Sequence, residues 1–143
     1  MSTTEERQRE IATTISGAFV DAYNTGATGL IDDVVTDDFV CHHTAAGEEL
    51  HGADEYKTRI DDLRSAFSDF SMAEEQLIVD GDRAAGYYRW GGTNDGEFMG
   101  APATGAELET RSLTMMRMEG DKMAEMWVYG DNADVARQLG IER

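Results

Sequence analysis

The feature that most constrains this chain is a change of hydrophobic period at Ser68. Before it, apolar residues recur at helical spacing; after it, they alternate. From about Thr4 to Asn24, Ile11, Ile15, Ala18, Phe19, Ala22 and Tyr23 share one helical stripe, which stops at Asn24-Thr25-Gly26. Such a stripe has to be covered by other structure. The same reading predicts a short second helix from Thr28 to Val35, a brief strand at Phe39-Val40-Cys41 and a polar loop from Thr44 to Glu49. A third helix follows from about Ala53 to Phe67, with Tyr56, Ile60, Leu63 and Phe67 on one face.

Beyond Ser68 the pattern predicts strands over Ser71 to Val79, Arg83 to Thr93, Glu107 to Met118 and Met123 to Tyr129. Asp80-Gly81-Asp82 and Glu119-Gly120-Asp121 are short enough for hairpins, while Asn94 to Gly105 is a longer connection with the only Pro. Asn132 to Leu139 reads as a last short helix, stopped by Gly140. Helices followed by hairpin-linked strands define an α+β fold: helices packed in a strongly curved, mostly antiparallel sheet that leaves an apolar pocket at one end. A length of 143 residues fits a single domain over 1–143.

Charge narrows the partners. The formal net charge is −17, with only Lys57 and Lys122 among the 12 basic residues and the rest Arg. A field of that sign repels nucleic acid and anionic membrane surfaces. Many carboxylates with few lysines also match the surface of a protein adapted to high salt, where screening tolerates self-repulsion. The lone Cys41 cannot form an internal disulfide, and neither a signal peptide nor a bilayer-spanning apolar run is present, so a cytoplasmic location is expected.

Chemistry is concentrated near the C-terminal strand. In an extended Met123 to Tyr129, Glu125, Trp127 and Tyr129 share a face and Asp131 ends the row. An acid beside aromatic surface is suited to proton transfer, and Asp is equally a favoured helix N-cap. His42 and His43 are adjacent, so in a strand at most one of them looks into a cavity. Arg89, in the middle of a strand, is either solvent-facing or paired. Phe98, Met115, Trp127 and Tyr129 are candidates to shape a pocket, and the cluster Met99, Met115, Met116, Met118, Met123 and Met126 offers adaptable filling or lining. The chain has no His-Glu-x-x-His or paired-Cys metal spacing, no nucleophile elbow, no phosphate-binding Gly loop and no dinucleotide fingerprint, so no metal and no cofactor are expected.

A set of motifs in order resembles one family. Asp38-Phe39-Val40-x-His42, Leu63-Arg64-x-Ala66-Phe67-x-Asp69-Phe70, Gly81-Asp82-Arg83, Arg89-x-x-Gly92-Thr93-x-x-Gly96-x-Phe98-x-Gly100-x-Pro102-x-Thr104-Gly105, Glu125-x-Trp127-x-x-x-Asp131 and Gln138-Leu139-Gly140 are similar to the SnoaL-like polyketide cyclases. The resemblance implies the cone of the nuclear-transport-factor-like superfamily, a homodimer joined through its sheets, and a small apolar carbonyl-bearing substrate. It further implies intramolecular aldol closure of a polyketide-type ester without metal or organic cofactor. On the matching positions, Asp131 corresponds to the general acid/base, His42 to a pocket histidine and Arg89 to a strand arginine. The chain departs from the family pattern at Asn94, where many members have His; an amide exchanges no proton near neutrality but can donate to an oxyanion. The other readings of such a fold are a non-catalytic small-molecule binding domain, or a dehydratase or isomerase.

Overall fold

A computed structural model describes residues 3–43 and 47–141. Helix α1 spans Thr4–Thr25. Thr3 caps its start, its Oγ1 accepting from the Glu6 N–H at 3.1 Å, with Glu5 and Glu6 against the positive helix end. Gly26 ends it in a left-handed conformation, φ 80°, its N–H bonded to the Ala22 carbonyl. The predicted second helix is a 3-10 turn over Thr28–Asp33. Strand β1 covers Val35–His43 and is much longer than the Phe39-Cys41 core legible in the sequence, because polar Thr36, Asp37 and Asp38 mask its first half.

Strand β2 (Glu48–His51) occupies the end of the segment expected to be a polar loop. It is a charged edge strand with no alternation of apolar residues, held by backbone pairing to β1, so hydrophobic periodicity does not reveal it. Positions 44–46 of that expected loop lie outside the described residues. Helix α2 spans Gly52–Ala66; β3, β4, β5 and β6 cover Ser71–Asp80, Arg83–Thr93, Glu107–Glu119 and Lys122–Gly130; α3 covers Asn132–Leu139.

The six strands form one sheet in the order β2-β1-β6-β5-β4-β3. Neighbours are antiparallel except β1 and β6, which run parallel with His42 opposite Trp127 and His43 opposite Val128. One extra residue, Glu75 in β3 and Ala124 in β6, makes a bulge that bends and twists the sheet, and a larger register shift interrupts β1 between Val35 and Val40. The sheet curves without closing, and α1 and α2 fill its concave side. Ala12, Ile15, Phe19 and Ala22 of α1 pack with Tyr56 and Ile60 of α2 and with Phe39, Cys41, Phe70, Met116 and Met126 of the sheet, all buried. Aromatic edges meet in this layer: Phe19 and Phe39 lie 5.1 and 6.0 Å from Tyr56 in T-shaped contacts.

Close approach of other atoms bears on several glycines, Gly96 and Gly86 among them. A Cβ on Gly96 would lie 2.1 Å from the Ser65 carbonyl oxygen, so only glycine lets the β4–β5 connection dock on the end of α2. At Gly86 a Cβ would meet the Tyr88 hydroxyl at 2.4 Å, and its absence leaves room for that ring on the inner face. Among the described residues, no helix is long and apolar enough to cross a membrane.

Candidate functional site

Strand alternation sorts the chemistry-bearing side chains onto two faces. Phe39 and Cys41 are fully buried inward, so His43 shares their side and His42 takes the other. On β6, Ala124 and Met126 point in while Glu125, Trp127 and Tyr129 point out. On β5 and β4 the inner row includes Thr110, Thr114, Met116, Ala84 and Tyr88, and the outer row Leu113, Met115, Tyr87 and Arg89.

Inside lie two adjoining chambers that share Tyr23, His43, Met72, Ser112 and Val128. The inner one, about 50 Å³, is bounded by Ile15, Ser16, Phe19, Tyr56, Tyr88 and Met126 among others. The outer one, about 80 Å³, adds Arg59, Leu63, Trp90, Phe98, Asp131 and Asn132. Arg59, Leu63, Phe98 and Asn132 also line an open groove of about 1080 Å³ between α2, the β4–β5 connection and α3. Ligand pockets usually offer several hundred Å³, so the groove and not the chambers has the volume for a ligand of more than a few atoms.

Asp131 stands at the mouth. It is the N-cap of α3: Oδ1 accepts from the Asp134 N–H at 2.9 Å, and its carbonyl receives the Val135 N–H. It lines the outer chamber and also a shallow depression on the outer face beside Tyr129 and Leu113. A carboxylate that caps through one oxygen keeps acceptor capacity on the other, so the cap and a chemical role are compatible at this junction.

His43 is the histidine of the cavity. Its Nε2 lies 3.3 Å from Arg59 Nη2. Its Nδ1 is buried and is the one such side-chain nitrogen or oxygen without a hydrogen-bond partner among the described residues. Burial first, and the Arg59 charge second, push its pKa down to about 4, so the ring is neutral near neutrality. Arg59 is itself held by Glu48, with Nη1 at 3.2 and 3.3 Å from the two carboxylate oxygens.

The tyrosine hydroxyls of the cavity wall are engaged. Tyr23 and Tyr56 bond each other at 2.8 Å. Ser16 donates to Glu74 Oε1 at 2.5 Å, so at 2.6 Å the Tyr88 hydroxyl donates to Ser16. Burial pushes the Tyr23 and Tyr88 phenols up to about 12, which keeps both as neutral hydroxyls.

The other expected site residues lie elsewhere. His42 is on the outer face, with Nε2 2.7 Å from Glu125 Oε2, Nδ1 3.1 Å from Glu49 Oε2 and its ring stacked on Trp127 at 5.5 Å. The Glu125 hydrogen bond is the main cause raising the His42 pKa, and the reciprocal bond lowers that of Glu125. Arg117 Nε holds the second Glu125 oxygen at 3.1 Å. Arg89 is outward, 3.9 Å from Glu109, and Met115 and Tyr129 are exposed on the same face. Asn94 is fully buried within the β4–β5 connection. Its amide donates to the Ala66 and Gly96 carbonyls and accepts from the Thr104 N–H and hydroxyl, which uses its whole hydrogen-bonding capacity.

The structure therefore brings Asp131 and Phe98 to one cavity and leaves His42, Glu125, Trp127, Tyr129, Met115, Arg89 and Asn94 outside it. Arg59, Tyr23 and Tyr56 line it without having been singled out as site residues by sequence, and of the adjacent pair His42 and His43 it is His43 that faces inward. For His43 a signal existed: Phe39, Cys41 and His43 are alternate residues, and two apolar ones ahead of it mark the inner row. Among the described residues, no group of three or more His, Cys, Asp or Glu is arranged to hold a metal.

Helices in the concavity of an open six-stranded sheet, over a cavity entered from one end, define the nuclear-transport-factor-like class of α+β cone. The chain belongs to the SnoaL-like polyketide cyclase family, whose model matches residues 13–139. Similar solved structures include TsrD of Streptomyces laurentii, 24% identical over 94% of this chain and 98% of that one with a TM-score of 0.85. IdmH of Streptomyces antibioticus, a candidate polyketide cyclase, is 27% identical over 92% and 99% with a TM-score of 0.77. AclR of Streptomyces galilaeus, a candidate hydroxylase, is 22% identical over 95% and 82% with a TM-score of 0.77. No curated protein matches the chain.

Proposed function

We propose that this protein is an acid/base enzyme acting on a small, largely apolar, carbonyl-bearing molecule, with intramolecular aldol closure of a polyketide-type ester as the reaction. The observation that carries the reading is the position of Asp131: an exposed carboxylate at the mouth of a cavity lined mainly by aromatic, aliphatic, Met and hydroxyl side chains, with His43, Arg59 and Arg111 as its basic members. In the proposed step the Asp131 carboxylate removes a proton from the carbon beside the carbonyl. The resulting enolate carbon attacks a second carbonyl carbon of the same molecule, one carbon–carbon bond forms, and the new alkoxide takes the proton back from Asp131. Atoms and electrons balance with no redox partner. Phe98, Trp90 and Leu63 cover the apolar body of the substrate where groove and outer chamber meet. Replacing Asp131 by Asn tests the reading: loss of turnover on an enolisable keto-ester with retained binding supports it, and unchanged turnover rules it out.

The outer face of the sheet is read as the surface for a second copy. Ile78, Tyr87, Leu113, Met115 and Tyr129 are exposed there, large apolar side chains spread over four neighbouring strands, and exposed apolar surface of this kind marks interaction sites. Arg83, Arg89, Arg111 and Arg117 border it together with Glu75, Glu109, Glu119 and Glu125. In a chain of net charge −17, this local balance of both signs makes the face self-complementary for a two-fold dimer.

A further inference from the structure

Of the polar groups that reach the cavity, the Tyr23–Tyr56 and Ser16–Tyr88 hydroxyls satisfy one another, and the cap engages Asp131. His43 lines both chambers, and its Nδ1 is buried with no hydrogen-bond partner. The proton on this ring is assigned by its neighbour. A guanidinium has donors and no acceptor, so the nitrogen facing Arg59 Nη2 has to accept. In a neutral imidazole whose Nε2 accepts, the hydrogen is on Nδ1. The unpartnered atom is therefore a donor, and what it lacks is an acceptor.

We infer that His43 is the carbonyl-binding group of this site: held in the Nδ1–H tautomer by Arg59, it donates to an oxygen of the ligand and stabilises that oxygen as negative charge develops on it. The inference deepens the proposed acid/base reading and rests on it for the chemistry, but its binding component is independent of Asp131. Glu48, Arg59 and His43 form a relay from β2 through α2 to β1, in which the carboxylate fixes the guanidinium and the guanidinium fixes the tautomer. Arg59 is thus a positioning residue. The lowered pKa agrees with this geometry, since protonation would set an imidazolium against a guanidinium in a partly dry site. A donor that stays neutral while charge develops on a bound oxygen supplies stabilisation without itself losing a proton. The ligand class follows: an acceptor-bearing ketone or ester is favoured over an amine, whose cationic form has only donors to offer.

Two measurements test this. Nitrogen-15 NMR of the wild-type protein near neutral pH reads the tautomer directly; a protonated Nδ1 with a bare Nε2 is expected for His43, and the opposite tautomer or an imidazolium overturns the inference. In Arg59→Met the ring is expected to lose its single tautomer, which a merely structural role for Arg59 does not predict. The second measurement compares binding of 1-tetralone with that of tetralin, the same skeleton without the oxygen. In the wild type the ketone is expected to bind more tightly. His43→Phe should weaken tetralone by up to about tenfold, the worth of one net hydrogen bond, and leave tetralin unchanged. Asp131→Asn should abolish turnover while the preference for ketone over hydrocarbon persists, so a failed acid/base reading and a failed histidine reading give different results. Equal affinity for ketone and hydrocarbon in the wild type, or equal losses in the variant, overturns the inference.

Discussion

His42 and His43 are neighbours in β1 with opposite electrostatic surroundings: His42 Nε2 lies 2.7 Å from the Glu125 carboxylate, and His43 Nε2 lies 3.3 Å from the Arg59 guanidinium. Strand alternation puts one on the outer face of the sheet and the other in the cavity. The carboxylate favours the protonated ring, while burial and the guanidinium favour the neutral one.

Their contributions to stability consequently run in opposite directions with pH. The His42 pKa is raised above 6.5 in the folded state, so its contribution is complete below that value and is lost as pH rises through the raised pKa. His43 is lowered to about 4, so the unfolded chain takes up a proton that the folded one refuses, and stability falls as pH drops from 6.5 toward 4. His42→Gln should destabilise most in mildly acidic solution and least above the raised pKa. His43→Gln should flatten the acid-side slope. Urea unfolding across the pH range reads both.

The cap that Asp131 forms and the proton transfer proposed for it are separable by substitution. Asn caps helices as well as Asp does, so Asp131→Asn should keep α3 while abolishing proton transfer. Asp131→Ala should lose both, with a cost of about 1 kcal/mol to stability. Thermal or urea unfolding gives the cap, and turnover gives the chemistry.

Asn94 is a brace for the β4–β5 connection, not a ligand donor. Asn94→Ala would strand the Thr104 N–H donor and the Ala66 and Gly96 acceptors that it now satisfies. A loss on the order of 3 kcal/mol is expected. The comparison of unfolding midpoints checks it, and ligand affinity measured well below the melting temperature should change little.

A charge in the centre of the outer apolar patch should separate a sheet-to-sheet dimer. Leu113→Asp is expected to give a monomer by light scattering where the parent gives twice that mass, with the circular dichroism spectrum preserved. A monomeric parent at the same concentration would remove the dimer reading.

Cys41 should be unreactive in the native protein. It is fully buried, and burial pushes its thiol up to about 12, far from the thiolate form that thiol reagents require. Maleimide labelling should appear only with unfolding, at the rate of global opening.

Much of this architecture is legible in the chain itself. The α1 stripe, the β3 to β6 meander with its two short hairpins, and α3 with its Asp131 start and Gly140 stop follow from period, turn residues and caps, and each recurs in the structure within a residue or two. Asp131 and Phe98, which the ordered motifs single out, line one cavity in the structure. β2 was not, because a short charged edge strand is held by its backbone, and neither was the parallel pairing of β1 with β6, which joins segments far apart in the chain.

What the sequence by itself determined is the order and type of elements, the family, and the carboxylate at the strand-to-helix junction. What only the tertiary structure decided is which face of each strand is inside. Alternation divides β5 and β6 into two rows, but both are apolar: Met116 and Met126 in one, Leu113, Met115 and Trp127 in the other. Local pattern cannot choose between two rows of similar hydrophobicity; the docking of α1 and α2 does. That choice moves His42, Trp127 and Glu125 to the outer surface and sets His43, one residue further on, against Arg59 in the cavity.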